Sequence, residues 1–261
     1  MVKALFKKVL HSLGYDLVEA HRAPSRQSIK EAMRQLAQLG YSPSTVIDVG
    51  AASGTLELLE VFPESRYLWI EPLREFEDSL KRLTKKYTGK YILSACGRQQ
   101  GLVPFHVHPY LEGSSILNES EGAASDGDTR QVPICRLDEV CNADKVRGET
   151  LLKVDVQGAE LDVLEGAGRF LDLFEVVVLE VSLFRFMVTN PEVCDVIVYM
   201  KGKGFVAYDI VGGKTRLLDG ALAQVDIVFV KENGRFRQSH HWATPEQRRE
   251  YIAANADRGV F

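Results

Sequence analysis

The sequence predicts an α/β fold: a doubly wound, mostly parallel sheet of seven strands, with helices on both faces and an antiparallel last strand. Three observations carry this. Apolar runs of strand length (TVIDV, RYLWI, KYIL, LLKVD, FEVVVLE) alternate with stretches of helical period, the pattern of βα units wound about a parallel sheet. Continuous Val, Ile and Leu within those runs mark strands covered on both faces. FVAYDIV and AQVDIVFVK close the chain with Gly212, Gly213 and a basic turn but no helix between them, so they form a hairpin whose second strand runs antiparallel.

The reference point is TVIDVGAASGTLELL, residues 45–59. A buried strand interrupted by Asp48 runs into a glycine turn and then a helix. Gly50 and Gly54 let the backbone turn tightly and approach a ligand, and the helix presents its first amides to the crevice. Before it, Ser28 with Glu31 has capping-box spacing, Ile29, Met33, Leu36 and Ala37 share one helical face, and Gly40 supplies a stop. After it, RYLWIEPL is a second strand ending in Glu71, 21 residues beyond Gly50. In nucleotide-binding βαβ units an acid at the second strand tip, roughly 20 residues on, meets the ribose hydroxyls.

Phe76, Leu80 and Leu83 mark the next helix, and KYILSACG reads as a third strand whose end, Ser94, Ala95 and Cys96, reaches the same sheet edge. VPFHV is a short strand-like run carrying His106, with His108 just beyond it. The stretch 109–130 is rich in Gly, Ser, Asn and acids, and a segment of that length in a compact domain reads as a lid. In LLKVDVQGAELDVLEGA, Lys153 and Asp155 project to one side of a strand. Their burial requires a partner, and Glu160 in the first helical turn offers Lys153 a second one. FEVVVLEVS ends in Glu180, and Asn190 with Pro191 is expected to open the following helix. Thr244, Pro245 and Gln247 open a last one.

At 261 residues, 45% hydrophobic and 26% charged, the chain can bury one substantial core. A formal net charge of −4 argues against a nucleic-acid partner, which needs a basic stripe. Cys96, Cys135, Cys141 and Cys194 form neither a CxxC pair nor a zinc-finger pattern, which fits a reduced, cytoplasmic setting. No apolar run reaches the length of about 18 residues that a transmembrane segment needs. MVKALFKKVLHSLGYDL reads as a short basic amphipathic helix packed on the main domain or a second subunit, so a homo-oligomer fits the sequence. The expected organisation is a helical extension at 1–40, a main domain at 41–232 with a lid at 109–131, and a helical tail at 233–261.

The DxGxxxG turn of Asp48, Gly50 and Gly54, with Glu71 and the terminal hairpin, resembles the class I S-adenosylmethionine-dependent methyltransferases and their Rossmann-like sheet. More narrowly, LLKVDVQGAELDVLEGA, VPICRLDEV and the GSSIL run around Ser114 and Ser115 resemble the FkbM family of methyltransferases, over about residues 40–231. The resemblance implies S-adenosyl-L-methionine as cofactor and O-methylation of a hydroxyl on a sugar, polyketide or other small metabolite, a small-molecule or glycan acceptor. Carried over, Asp48, Gly50, Ala51, Ser53 and Gly54 frame the methionine part, and Glu71 with Pro72 the ribose. Ser94, Ala95 and Cys96 flank the adenine, and Ser115 joins the cofactor set. Lys153, Asp155 and Glu180 form the catalytic set, with Asp155 either the base or the ligand of the cofactor's amino group. Family members often carry Asn where this chain has Ala52. No metal site is expected; a divalent cation between Asp155 and Glu180 is the less favoured alternative. Two other classes compete. A nicotinamide-dependent oxidoreductase is disfavoured because the turn lacks GxGxxG, and a silent cofactor-binding module because Lys153, Asp155 and Glu160 are all present.

Overall fold

The computed structural model describes residues 26–255, so the expected basic helix near the N-terminus lies outside the described residues. The first helix, α1 (Ile29–Gln38), starts where its cap dictates: Ser28 accepts from the Glu31 amide, and the Glu31 carboxylate accepts in return from the Gln27 amide. It leads into strand β1 (Thr45–Val49), helix α2 (Leu56–Val61), strand β2 (Arg66–Ile70), helix α3 (Glu77–Lys86) and strand β3 (Gly89–Ile92). After a smaller subdomain come β7 (Thr150–Val154), α6 (Glu160–Ala167), β8 (Phe174–Ser182), α7 (Val193–Gly202), β9 (Phe205–Thr215), β10 (Leu222–Lys231) and α8 (Pro245–Asn255).

The seven-stranded sheet has the order β3-β2-β1-β7-β8-β10-β9. All pairings are parallel except those of β10, which runs against β8 on one side and β9 on the other. The order reverses between β1 and β7, so the crevice at their carboxyl ends is the switch point where such sheets bind ligands.

Alternation of side chains splits the sheet into two buried faces. Ile47, Leu152, Leu179 and Phe229 point to one core, shared with Leu164 of α6 and Met200 of α7. Val46, Leu151, Val178 and Val228 point to the other, covered by Met33 of α1, Leu58 of α2 and Leu80 of α3. Acids at alternate positions of otherwise apolar strands therefore all emerge on the α1-bearing face.

Three expectations are corrected. KYILSACG is not one strand: it leaves the main sheet after Ile92, and its last residues form β4 (Ala95–Cys96) of a second sheet, in the order β4-β6-β5 with β5 (Gly101–Val107) and β6 (Asp128–Cys135). The polar stretch 109–130 accordingly ends inside a strand and includes a 3-10 turn (Leu111–Gly113) and one short α-helix, α4 (Ala123–Asp126); α5 (Leu137–Ala143) then returns the chain to the main sheet. The helix expected to open at Asn190 and Pro191 begins at Val193, because Glu192 and Asp195 form its capping box. The capping box at Thr244 and Gln247 forms as expected. All four cysteines are free thiols. Among the described residues no helix is long and apolar enough to cross a membrane.

Candidate active site

A cavity of about 750 Å³ opens at the switch point, within the roughly 300–1,000 Å³ range of ligand pockets. One wall is the β1 turn. Gly50 has φ +71°, and a Cβ there would stand 1.7 Å from the Asp155 carbonyl oxygen. Glycine is thus required here by its positive φ and by the close approach of the Asp155 main chain. Ala52 lies at φ +44°, a left-handed conformation that Asn tolerates better than alanine.

The acids on this side are held by main-chain amides. Asp48, 1% exposed, accepts from the Thr55 amide and hydroxyl at 3.0 and 3.1 Å, fastening the start of α2. It stands behind the turn and does not line the cavity. Glu71 does line it, with its two oxygens accepting from the amides of Ala52 (2.9 Å) and Leu73 (2.8 Å). Burial pushes its pKa up to about 7 despite those two bonds. Ser53, Pro72, Ser94, Ala95 and Cys96 also reach the cavity. Ser115 does not: it is 2% exposed and donates to the Gln157 carbonyl at 2.9 Å, tying the 109–130 stretch to the β7 turn. His106 meets Thr129 and His108 meets Tyr110, and neither histidine lines the cavity.

At the β7 turn, Gln157 and Gly158 both have positive φ, +55° and +100°. Glu160 is buried there and accepts from the Val156 and Gly158 amides at 3.3 and 2.9 Å; burial raises its pKa to about 7. It makes no bond to Lys153, which corrects the expected pairing. Lys153 lies opposite Asp48 in the sheet and places its ammonium 3.1 Å from Asp155 and 3.9 Å from Asp48. Burial opposes its charge, but those two carboxylates win and raise its pKa. Burial likewise works to raise Asp155, and the Lys153 ammonium more than offsets it, so Asp155 stays below its ordinary range.

One rung further along, Glu180 stands opposite Asp226. Glu180 accepts from Lys214 (2.7 Å), Gln157 (2.8 Å) and Gln224 (3.0 Å), and Gln157 also donates to Asp155 at 2.7 Å. The Gln157 amide therefore holds the bridging position between the two carboxylates that a cation would need. Among the described residues no group of three or more His, Cys, Asp or Glu is arranged to hold a metal ion.

Gln157, Lys214, Gln224 and Asp226 were given no role by the sequence. A signal existed for Asp226, a lone acid inside AQVDIVFVK exactly parallel in kind to Glu180 inside FEVVVLEVS. The position does not stand out in the sequence because β10 is reversed and brings its amino end, not its carboxyl end, to the site.

The doubly wound sheet, its reversed strand and the glycine turn facing an acid on the next strand agree with the architecture expected of an S-adenosylmethionine-dependent methyltransferase, and the family match shows that class. More particularly, residues 48–207 match the family described as the methyltransferase FkbM domain, and the chain belongs to that family. No curated protein matches the sequence. Among solved structures it is similar to an rRNA methylase from Streptococcus thermophilus, 12% identical with a TM-score of 0.43, over 80% of this chain and 99% of that one. It is similar to a magnesium protoporphyrin IX methyltransferase from Synechocystis PCC 6803 with bound S-adenosylmethionine, 10% identical with a TM-score of 0.43, over 88% and 96%. A third is a putative RNA methyltransferase from Pyrococcus horikoshii, 17% identical with a TM-score of 0.40, over 87% and 98%.

The residues present fit the cofactor. Glu71 uses one lone pair of each oxygen on an amide and keeps others for ribose hydroxyls. Ser94, Ala95 and Cys96 contribute only small side chains to the cavity wall, and the Gly50–Gly54 turn lines it with nothing larger than Ala and Ser.

Proposed function

We propose that this methyltransferase O-methylates a hydroxyl of a small polyhydroxylated metabolite such as a sugar or polyketide. The observation that carries the reading is the lining of the cavity beyond the cofactor residues: Gln157, Glu180, Lys214, Gln224 and Asp226. Carboxylates and amides are the donor and acceptor set that matches neutral hydroxyl groups. The same acids oppose a phosphate-rich nucleic-acid acceptor, whose binding is dominated by Lys and Arg contacts. Tyr110, Glu112 and Ser114 border the cavity too, which supports the stretch 109–131 as a cover over the acceptor.

S-adenosylmethionine supplies an electrophilic methyl group on sulfur. The chain's own residues align and activate the acceptor. Glu71 and the turn of Gly50 to Gly54 hold the cofactor, and fixing both partners at near-attack distance supplies much of the acceleration. Lys153 keeps Asp155 ionised, so its carboxylate serves to orient a hydrogen-bond donor, either the cofactor's ammonium or the acceptor.

The test is incubation of the protein with S-adenosylmethionine labelled in its methyl group and a polar metabolite and glycan extract, followed by mass spectrometry. Label in alkali-stable methyl ethers supports the reading. Label in nitrogen, in alkali-labile esters or in RNA sinks it. Titration with NADH runs alongside, and binding of NADH in preference to S-adenosylmethionine would return the oxidoreductase reading.

A further inference from the structure

We infer that Asp226 is the catalytic base, taking the proton from the acceptor hydroxyl as the methyl group is transferred. The inference rests on the hydroxyl reading above and comes from asking which of the carboxylates that the sheet strands and their turns bring to the site is still open; Glu57, on α2, and Glu112, which accepts from the Tyr110 hydroxyl, border the cavity away from the strands. Asp48 is engaged by Thr55, Glu71 by Ala52 and Leu73, and Glu160 by Val156 and Gly158. Asp155 is engaged by Lys153 and Gln157, and Glu180 by Lys214, Gln157 and Gln224. Asp226 lines the same cavity and accepts no hydrogen bond among the described residues. Its position is built rather than incidental. It stands opposite Glu180 on β8 and Val211 on β9, and Gly212, at φ +68°, leaves room for it, since a Cβ there would lie 2.8 Å from Asp226 Oδ2.

The charged groups around Asp226 are Glu180 from β8, Lys214 from β9, and Lys153 and Asp155 from β7. Burial first, and then the Glu180 charge, push its pKa up to about 7 against the pull of both lysines. A base is most effective with a pKa near the working pH, and Asp155, held low by Lys153, lacks that property. In the step, the acceptor's oxygen–hydrogen bond breaks and its proton passes to an Asp226 oxygen. The freed electron pair forms the oxygen–carbon bond to the methyl group, and the carbon–sulfur pair stays on sulfur, giving the neutral thioether. The proton then leaves through the mouth beside Lys214, whose side chain is 66% exposed.

The experiment compares wild type with Asp226→Asn, which keeps the side chain's shape. Both proteins are first titrated with S-adenosylhomocysteine, and equal affinity with a melting temperature no lower than that of wild type shows an intact fold. Methyl transfer to the polar metabolite extract, followed from pH 5.5 to 8.5, should in wild type rise through about pH 7 and in Asp226→Asn fall by at least about 100-fold. Infrared difference titration of wild type minus variant, with no acceptor present, should show one carboxyl ionising near pH 7. Transfer within threefold of wild type, or the absence of that titrating carboxyl, overturns the assignment. Wild-type transfer confined to nitrogen or carboxylate acceptors overturns the hydroxyl reading and, with it, the need for a base. Asp226→Glu, which retains a carboxylate, should recover part of the activity that Asn loses, a result a purely structural role does not give.

Discussion

The two halves of the cavity are built from the same residue type by opposite means. On the cofactor side Glu71 is held by the backbone amides of Ala52 and Leu73, with Asp48 behind the turn held by that of Thr55, and Glu160 in the β7 turn is fastened in the same way by Val156 and Gly158. On the acceptor side carboxylates meet side chains, Lys153, Gln157, Lys214 and Gln224, and one, Asp226, meets none. Main-chain donors do not change when side chains are substituted, so the first half is preorganised for one ligand. Side-chain donors change with every substitution, so the second half is where selectivity resides.

The most severe test of this division is at the seam between the halves. Gly50→Ala drives a Cβ onto the Asp155 carbonyl and should cost about 4 kcal/mol or more, placing it among the exceptional losses. Urea denaturation, or failure to recover soluble protein, reads this out, and a stable variant would show that the two turns are not packed backbone to backbone. Lys153→Met comes next. It leaves Asp155 and Asp48 without their shared cation and should cost about 3–5 kcal/mol. Near-native stability would mean that the acceptor half is not locked by charge.

How much of this was legible follows from the same contrast. The cofactor half could be read because its parts are local or regularly spaced: Asp48, Gly50 and Gly54 lie in one run, and Glu71 follows at a set interval. The strand count, the hairpin and the reversed last strand were equally legible, since period and turn composition determine them. The acceptor half was read only in part. Lys153, Asp155 and Glu180 sit at carboxyl ends of parallel strands, whereas Lys214, Gln224 and Asp226 arrive on a hairpin and look like ordinary polar residues of a half-buried strand. The second sheet was missed because β4 is two residues long and its partner β6 is hidden behind a polar stretch. Glu160 was assigned to Lys153 because sequence spacing shows which groups are near but not that two amides of its own turn are nearer.

Two smaller effects sharpen the comparison. Glu160→Gln preserves an oxygen for the Val156 and Gly158 amides while removing a buried charge. With a folded pKa of about 7 and an unfolded value of about 4.3, wild type carries no penalty below the lower value and the full penalty above the upper one. The variant should therefore match wild type at pH 4 and exceed it by about 3.5 kcal/mol at pH 8. Thermal melts across that range check the slope, and a pH-independent difference would place the effect in packing rather than charge. Smallest of all is Ala52→Gly, which relieves the left-handed alanine and should stabilise by about 0.5–1 kcal/mol, the unfolded state's added freedom offsetting part of the gain. A loss of stability in chemical denaturation would show that the alanine methyl packs usefully.

The reversed strand determines which side chains can be exchanged together. Lys214, Gln224 and Asp226 all belong to one uninterrupted hairpin, Phe205–Thr215 with Leu222–Lys231, at one edge of the sheet. Glu71 and the Gly50–Gly54 turn line the other half of the cavity. The hairpin is therefore one unit: substitutions within it alter the side of the cavity lined by Lys214, Gln224 and Asp226 without touching the glycine turn or Glu71.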